Sequence, residues 1–162
     1  FGVFVKMFSE SLGVNDEYED FSYYSKEFSE DKKRVVQLFD RLKQSNKAQL
    51  EEKVLNDFEL IELVQREGSA VLVLVNCNLL SCSSCGSSLV ALGTRILGKL
   101  MRYVGHYVLA TGFDTDLGAF VIMDPSKKDE RCFIDKKAFF EARTSAGTDN
   151  DIVVVEKKTE NE

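Results

Sequence analysis

One stretch constrains the fold more than any other. Between Val104 and Pro125, two apolar runs flank the polar segment Asp114-Thr-Asp-Leu-Gly118. The runs are rich in β-branched and aromatic residues, which suit a pleated, half-buried surface. The segment between them supplies turn chemistry, and Gly118 is free to take positive φ. Val104 to Phe113 and Ala119 to Met123 are therefore expected to form a β-hairpin. The hairpin holds the chain's one histidine, His106, and ends in Asp124-Pro125. Because a hairpin sets its two strands side by side, the imidazole and the carboxylate can meet.

The rest of the chain supplies further strands and helices. Val3, Val5 and Met7 alternate with Phe4, Lys6 and Phe8, which predicts a strand over 2–8. An acidic loop is expected from Glu10 to Asp20, then a short amphipathic helix from Asp20 to Phe28. Val35, Leu38, Phe39 and Leu42 fall on one helical face, with Ser29 as a candidate cap. Leu50 to Leu55 reads as a short extended piece. Asn56 and Glu59 have capping-box spacing ahead of Leu60, Ile61 and Val64. Ala70 to Val75 is an unbroken apolar run, expected as a strand buried on both faces. Residues 76–102 form an excursion rich in Cys, Ser and Gly, with a helix near Val90 to Leu100. A helix is expected over Ile134 to Arg143, a structured turn over Ser145 to Asn150, and a last strand over Ile152 to Val155.

At 162 residues and 44 % hydrophobic content, the chain can bury one core. A single domain is expected over 1–156, with a charged tail over 157–162. The net charge of −6 argues against a nucleic-acid backbone or an anionic membrane as partner, because both recruit basic surfaces. No apolar run approaches the roughly 18 residues of a membrane-spanning helix. The four cysteines, without a leader segment, point to reduced thiols and a cytoplasmic location.

Four constellations bear on chemistry. His106 and Asp124 match two members of a nucleophilic triad. A carboxylate accepting Nδ1–H would fix the tautomer and leave Nε2 as a base. The alternative is a strand histidine satisfied by a backbone carbonyl. Cys82-x-x-Cys85 with Cys77 has the spacing of one end of a zinc site, and the alternative is free thiols in a Ser-rich loop. Asp114 and Asp116 could hold Mg²⁺ or simply shape the turn. Arg143 to Asp151 carries hydroxyls, carboxylates and Gly147, suited to a tight loop. No Walker or Gly-x-Gly-x-x-Gly loop is present.

Resemblance adds to these readings. Gly105-His-Tyr-Val108, then Gly112-Phe-Asp114, a turn, and a strand ending Asp124-Pro125 resemble the second half of papain-like cysteine peptidases, including bacteriocin-processing peptidases. Phe140-Glu-Ala-Arg-Thr-Ser-Ala-Gly-Thr-Asp-Asn-Asp-Ile152 closely resembles the terminal signature of the eukaryotic guanylyl cyclase domain-containing family. Leu12-Gly-Val14, Tyr24 to Phe28, Arg34-Val-Val-Gln-Leu-Phe39 and Val71-Leu-Val-Leu-Val-Asn76 are similar to that family in the same order.

The resemblance implies an α+β, papain-like fold: an antiparallel sheet with flanking helices, lacking its N-terminal part. It implies a Cys-His-Asp type site in which His106 is the general base and Asp124 orients it. The family's Trp-Asp-Cys-Gly segment, which would bring the nucleophile, is expected upstream of the region matched by Phe1. An N-terminally truncated, hydrolase-like member, inactive alone, is therefore expected. The alternatives are a guanylyl cyclase making cGMP from GTP with Mg²⁺ or Mn²⁺, as the family name implies, and a non-catalytic binding module. No other cofactor is expected. The expected partner is a peptide-like or small-molecule ligand, with self-association of the truncated piece.

Overall fold

The computed structural model describes residues 2–14, 28–45, 48–80, 103–126 and 131–157. In chain order the elements are β1 (Val3–Ser9), α1 (Phe28–Gln44), β2 (Ala48–Glu52), α2 (Asp57–Gln65), β3 (Ser69–Asn76), β4 (Gly105–Asp114), β5 (Ala119–Met123), β6 (Arg131–Asp135), α3 (Lys136–Arg143) and β7 (Ile152–Lys157). A 3₁₀ turn, Cys77–Leu79, follows β3. The fold is mixed α+β. The expected short helix over 20–28 lies outside the described residues up to Phe28, which opens α1. The expected helix near Val90 to Leu100 also lies outside them.

The seven strands make one sheet in the order β2-β1-β7-β3-β4-β5-β6. The expected antiparallel sheet needs one correction: β1 and β2 pair in parallel. The remaining five pairings are antiparallel. The cause is the connection. α1 lies between β1 and β2 in sequence, and a crossover of this kind returns the chain in the same direction.

One sheet face carries the core. Val71, Val73, Val75, Val108, Phe120, Cys132, Ile134, Ile152 and Val154 are each 1 % exposed or less. Leu60, Leu63 and Val64 of α2 and Ala138, Phe139 and Ala142 of α3 complete the same cluster. Phe120 stacks on Phe139 at 4.4 Å between ring centroids, and Phe113 meets Phe120 edge-on at 5.0 Å. Burying a side chain of this size contributes about 1.5–3 kcal/mol.

β3 is covered less completely than its apolar run predicts. Val71, Val73 and Val75 are buried, but the alternating Leu72 and Leu74 are only half-buried. Side chains alternate across a strand, and α2 and α3 pack their apolar residues against the Val71–Val73–Val75 face.

Two helices also depart from expectation. α1 forms where the apolar spacing predicts, yet Leu38 stays 44 % and Leu42 38 % exposed. It packs beside the edge strand β2 rather than over the sheet's centre. The helix expected from Ile134 begins two residues later, because residues 131–135 pair with β5 as strand β6. Within β6, Cys132 and Ile134 point into the core while Arg131 and Asp135 are exposed. Asp135 then caps α3, its carboxylate accepting from the Ala138 amide at 3.1 Å.

The capping box at α2 forms as its spacing predicts. Asn56 Oδ1 accepts from the amides of Phe58 and Glu59, and Glu59 Oε2 accepts from the Asn56 amide. No helix among the described residues is long and apolar enough to cross a membrane.

Candidate functional site

The β3–β4–β5 register decides where the candidate residues fall. His106 lies opposite Val75, and Val108 lies opposite Val73. Opposed residues share a face, so His106 continues the row of Val108 and Ala110. Ala110 in turn lies opposite Ile122 on β5, and Asp124 follows two residues after Ile122. The imidazole and carboxylate therefore emerge together at one end of the buried face.

His106 Nε2 lies 2.7 Å from Asp124 Oδ1. The expected pairing of these residues forms, but through the other ring nitrogen. Nε2, rather than Nδ1, faces the carboxylate. A carboxylate accepts and cannot donate, so it selects the Nε2–H tautomer and leaves the Nδ1 lone pair as the basic position. Among the described residues, the alternative of a histidine held by a backbone carbonyl does not form. The side chains of His106 and Asp124 are 26 % and 10 % exposed, which shields the pair from water while leaving the imidazole reachable.

Three donors converge on Asp124 Oδ1. Besides His106, the Ser126 amide donates at 2.9 Å and the Ser126 hydroxyl at 2.7 Å. Burial pulls this carboxyl upward. The hydrogen bonds from Ser126 and His106 outweigh it and hold Asp124 below its ordinary value. The carboxylate is thus ionised and fixed beside the imidazole. Ser126 was not singled out from the sequence, although Asp-Pro-Ser carries a signal: a residue two positions after Asp commonly bonds the Asp side chain.

Cys77 opens the turn after β3, and its amide donates to the Val104 carbonyl at 3.0 Å. Burial pushes its thiol up, and the Asp124 charge adds to the effect. That is opposite to the depression that activates a nucleophilic cysteine. Cys132 is buried in the core at 1 % exposure. Cys77 is a free thiol. Cys82 and Cys85 lie outside the described residues. Among the described residues, no three His, Cys, Asp or Glu side chains gather at metal-binding spacing.

The other candidates have different roles in the fold. Asp114 Oδ1 accepts from the amides of Asp116 and Leu117 at 3.0 and 2.9 Å, which shapes the hairpin turn. Arg143 is 2 % exposed, lies 4.8 Å over the Phe140 ring, and donates to the Leu55 carbonyl. Thr148 donates to the Arg143 carbonyl at 2.6 Å, closing the loop over 143–151 on itself.

A second titratable group borders this loop. Asp151 accepts from the Tyr107 hydroxyl at 3.4 Å through Oδ2, while its Oδ1 is buried without a partner among the described residues. Burial pushes this carboxyl up to about 6, and the Asp149 charge adds to the shift. No spacing argument marks Asp151, since its environment comes from β1, β4 and the loop together.

A groove of about 330 Å³ lies elsewhere, between β1, β2, β7 and α2. Phe4, Phe8 and Leu63 line it, but neither His106 nor Asp124 does. Its cations are matched by acids: Lys6 with Glu51, Lys53 with Glu59 and Arg66 with Glu156, at 2.7, 2.5 and 3.0 Å. The candidate chemistry therefore lies with the dyad at the strand ends rather than in the groove.

Comparison with known proteins places this geometry in a family. The chain is 28 % identical over 145 residues to Guanylyl cyclase 1 of Arabidopsis thaliana, an alignment covering 90 % of this chain and 52 % of that protein. The chain spans about half the length of that relative. The family model described as guanylylate cyclase matches residues 1–155. The hairpin, the dyad at its mouth and the terminal loop all fall within this match, and the chain belongs to the guanylylate cyclase family.

Proposed function

We propose that this chain supplies the base-and-orienter half of a papain-like cysteine-hydrolase site. The observation that carries the reading is the 2.7 Å contact between His106 Nε2 and Asp124 Oδ1, with Nδ1 left as the basic nitrogen. In this mechanism Nδ1 takes the proton from a thiol as the sulfur attacks an acyl carbon. The resulting imidazolium is stabilised by Asp124, which Ser126 keeps fixed and ionised. The same proton then passes from Nδ1 to the leaving group, and water hydrolyses the acyl-enzyme. The thiol comes from the Trp-Asp-Cys-Gly segment that the family resemblance implies upstream. Cys77 follows β3 and does not fall at the position of that segment.

The test uses a longer form of the protein that carries the Trp-Asp-Cys-Gly segment. A thiol-directed electrophile is expected to label that cysteine rapidly, and His106→Ala is expected to slow the labelling by orders of magnitude. Equal labelling of the two forms removes the hydrolase reading.

A second reading is favoured by the name of the relative, Guanylyl cyclase 1. Cyclising GTP places the ribose 3′-oxygen on the α-phosphorus and expels pyrophosphate. It calls for charge stabilisation at the phosphates, from metal-bridging carboxylates or cationic side chains. The same longer form, incubated with GTP and Mg²⁺ or Mn²⁺, tests it directly. Production of cGMP above a protein-free blank supports the cyclase reading, and none above the blank sinks it.

A further inference from the structure

We propose that Tyr103 is a positioning residue for His106, holding the entry to β4 through an interlock with Gly105 and Gly147. The proposal rests on the reading of His106 as the base and names what sets that base's orientation. Tyr103 is 7 % exposed and lies three residues before His106. Its ring occupies space made by two missing side chains. A Cβ on Gly147 would sit 2.9 Å from Tyr103 Cδ1, closer than real Cβ contacts allow, and one on Gly105 would overlap the Tyr103 hydroxyl. Gly147 also has φ of +97°, which a residue with a side chain adopts only under strain.

The interlock joins two parts of the fold that are far apart in sequence. Gly147 belongs to the loop over 143–151, anchored by buried Arg143 on the Leu55 carbonyl and by Thr148 on the Arg143 and Ser145 carbonyls. Gly105 immediately precedes His106 and pairs with Asn76 of β3. Asn76 is 6 % exposed, and its Oδ1 accepts from the Val104 amide at 3.5 Å. The Cys77 amide donates to the Val104 carbonyl at 3.0 Å. The segment 103–105 is therefore held from the β3 side by hydrogen bonds and from the loop side by the Tyr103 ring. His106 is the next residue, and its ring must reach across to Asp124. A rotation of this segment would move Nε2 off the 2.7 Å contact. The resemblance-bearing loop thus acts on the dyad through packing and touches neither member chemically.

His106 is the one histidine in the chain, so its ring nitrogens give unambiguous ¹⁵N resonances in this protein as it stands. The wild type is expected to show the Nε2–H tautomer, with well-separated nitrogen shifts. Asp124→Ala sets the signature of a released ring, in which the two shifts move toward each other. Tyr103→Phe keeps the ring and is expected to match wild type. Tyr103→Leu and Gly147→Ala are expected to move toward the Asp124→Ala signature while amide resonances of β1 and β2 stay in place. Wild-type ring shifts in a folded Tyr103→Leu protein would overturn the proposal. Loss of a folded spectrum in Tyr103→Leu would overturn it too, because Tyr103 would then act on the core as a whole. No labelling or turnover is read, so a failure of the hydrolase reading leaves this outcome standing, and the reverse holds as well.

Discussion

His106 and Asp124 meet at 2.7 Å through Nε2, although 18 residues and a full hairpin separate them. The strand register delivers both to one face, and the Ser126 amide and hydroxyl donate to the same carboxylate oxygen. On the proposed hydrolase reading, this predicts a graded response in a longer form that carries the Trp-Asp-Cys-Gly segment. His106→Ala removes the proton acceptor and should lower thiol reactivity or turnover by about three orders of magnitude or more. Asp124→Ala leaves the imidazole but frees its tautomer, and should cost about two to four orders. Ser126→Ala removes one donor of three and should cost about tenfold or less. Rates of electrophile labelling across the three variants check the order, and a Ser126 variant as slow as the His106 variant would contradict it.

Asp151 predicts how stability depends on pH. Its folded-state carboxyl is pushed up to about 6 by burial, above an ordinary value near 3.8. The fold therefore favours the protonated form. The contribution is fully present below pH 4 and is lost as pH rises through 6, because the native state binds more protons than the unfolded chain in that window. Asp151→Asn mimics the protonated form. It should flatten this part of the profile and raise stability at pH 7 by about 1–3 kcal/mol. Urea unfolding of both proteins at pH 4.5, 6 and 8 checks the sign.

What the sequence made legible followed the range of the interactions. The hairpin, the capping box at Asn56 and the β3 strand are written in neighbours a few residues apart, and all three form. β6 was hidden because Ile134 also fits the apolar spacing of the helix after it, and only pairing with β5 resolves the overlap. The pairing of His106 with Asp124 was readable from the hairpin, but the choice of Nε2 was not. That choice depends on ring rotation and on where Ser126 holds the carboxylate. The parallel β1–β2 pair and the buried environment of Asp151 arise from contacts more than 40 residues apart in sequence. No periodicity encodes them.

The α2 cap gives a prediction independent of the site. Asn56 satisfies the amides of Phe58 and Glu59 while Glu59 returns a bond to Asn56. Asn56→Ala leaves these amides to water and should cost about 1 kcal/mol. Asn56→Ser or Asn56→Asp should restore most of it. Urea midpoints at fixed slope measure the difference, and an alanine variant as stable as wild type would show that the cap contributes little in this context.

Arg143 tests whether the terminal loop is held by a buried cation. Its guanidinium is 2 % exposed, donates to the Leu55 carbonyl just before α2, and lies over the Phe140 ring. Burial lowers its pKa, while the Asp57 charge works in the opposite direction. Arg143→Met keeps much of the apolar stem but leaves the Leu55 carbonyl without this donor, which should cost about 1–3 kcal/mol. Arg143→Ala adds a cavity beside Phe140 and should cost more, on the order of 3–5 kcal/mol. If packing of the stem dominates, methionine will lie close to wild type and far from alanine. If the hydrogen bond dominates, methionine and alanine will fall together. Hydrogen exchange at the Leu60 amide should follow the same order, because loss of the anchor at Leu55 loosens the start of α2 before the sheet itself opens.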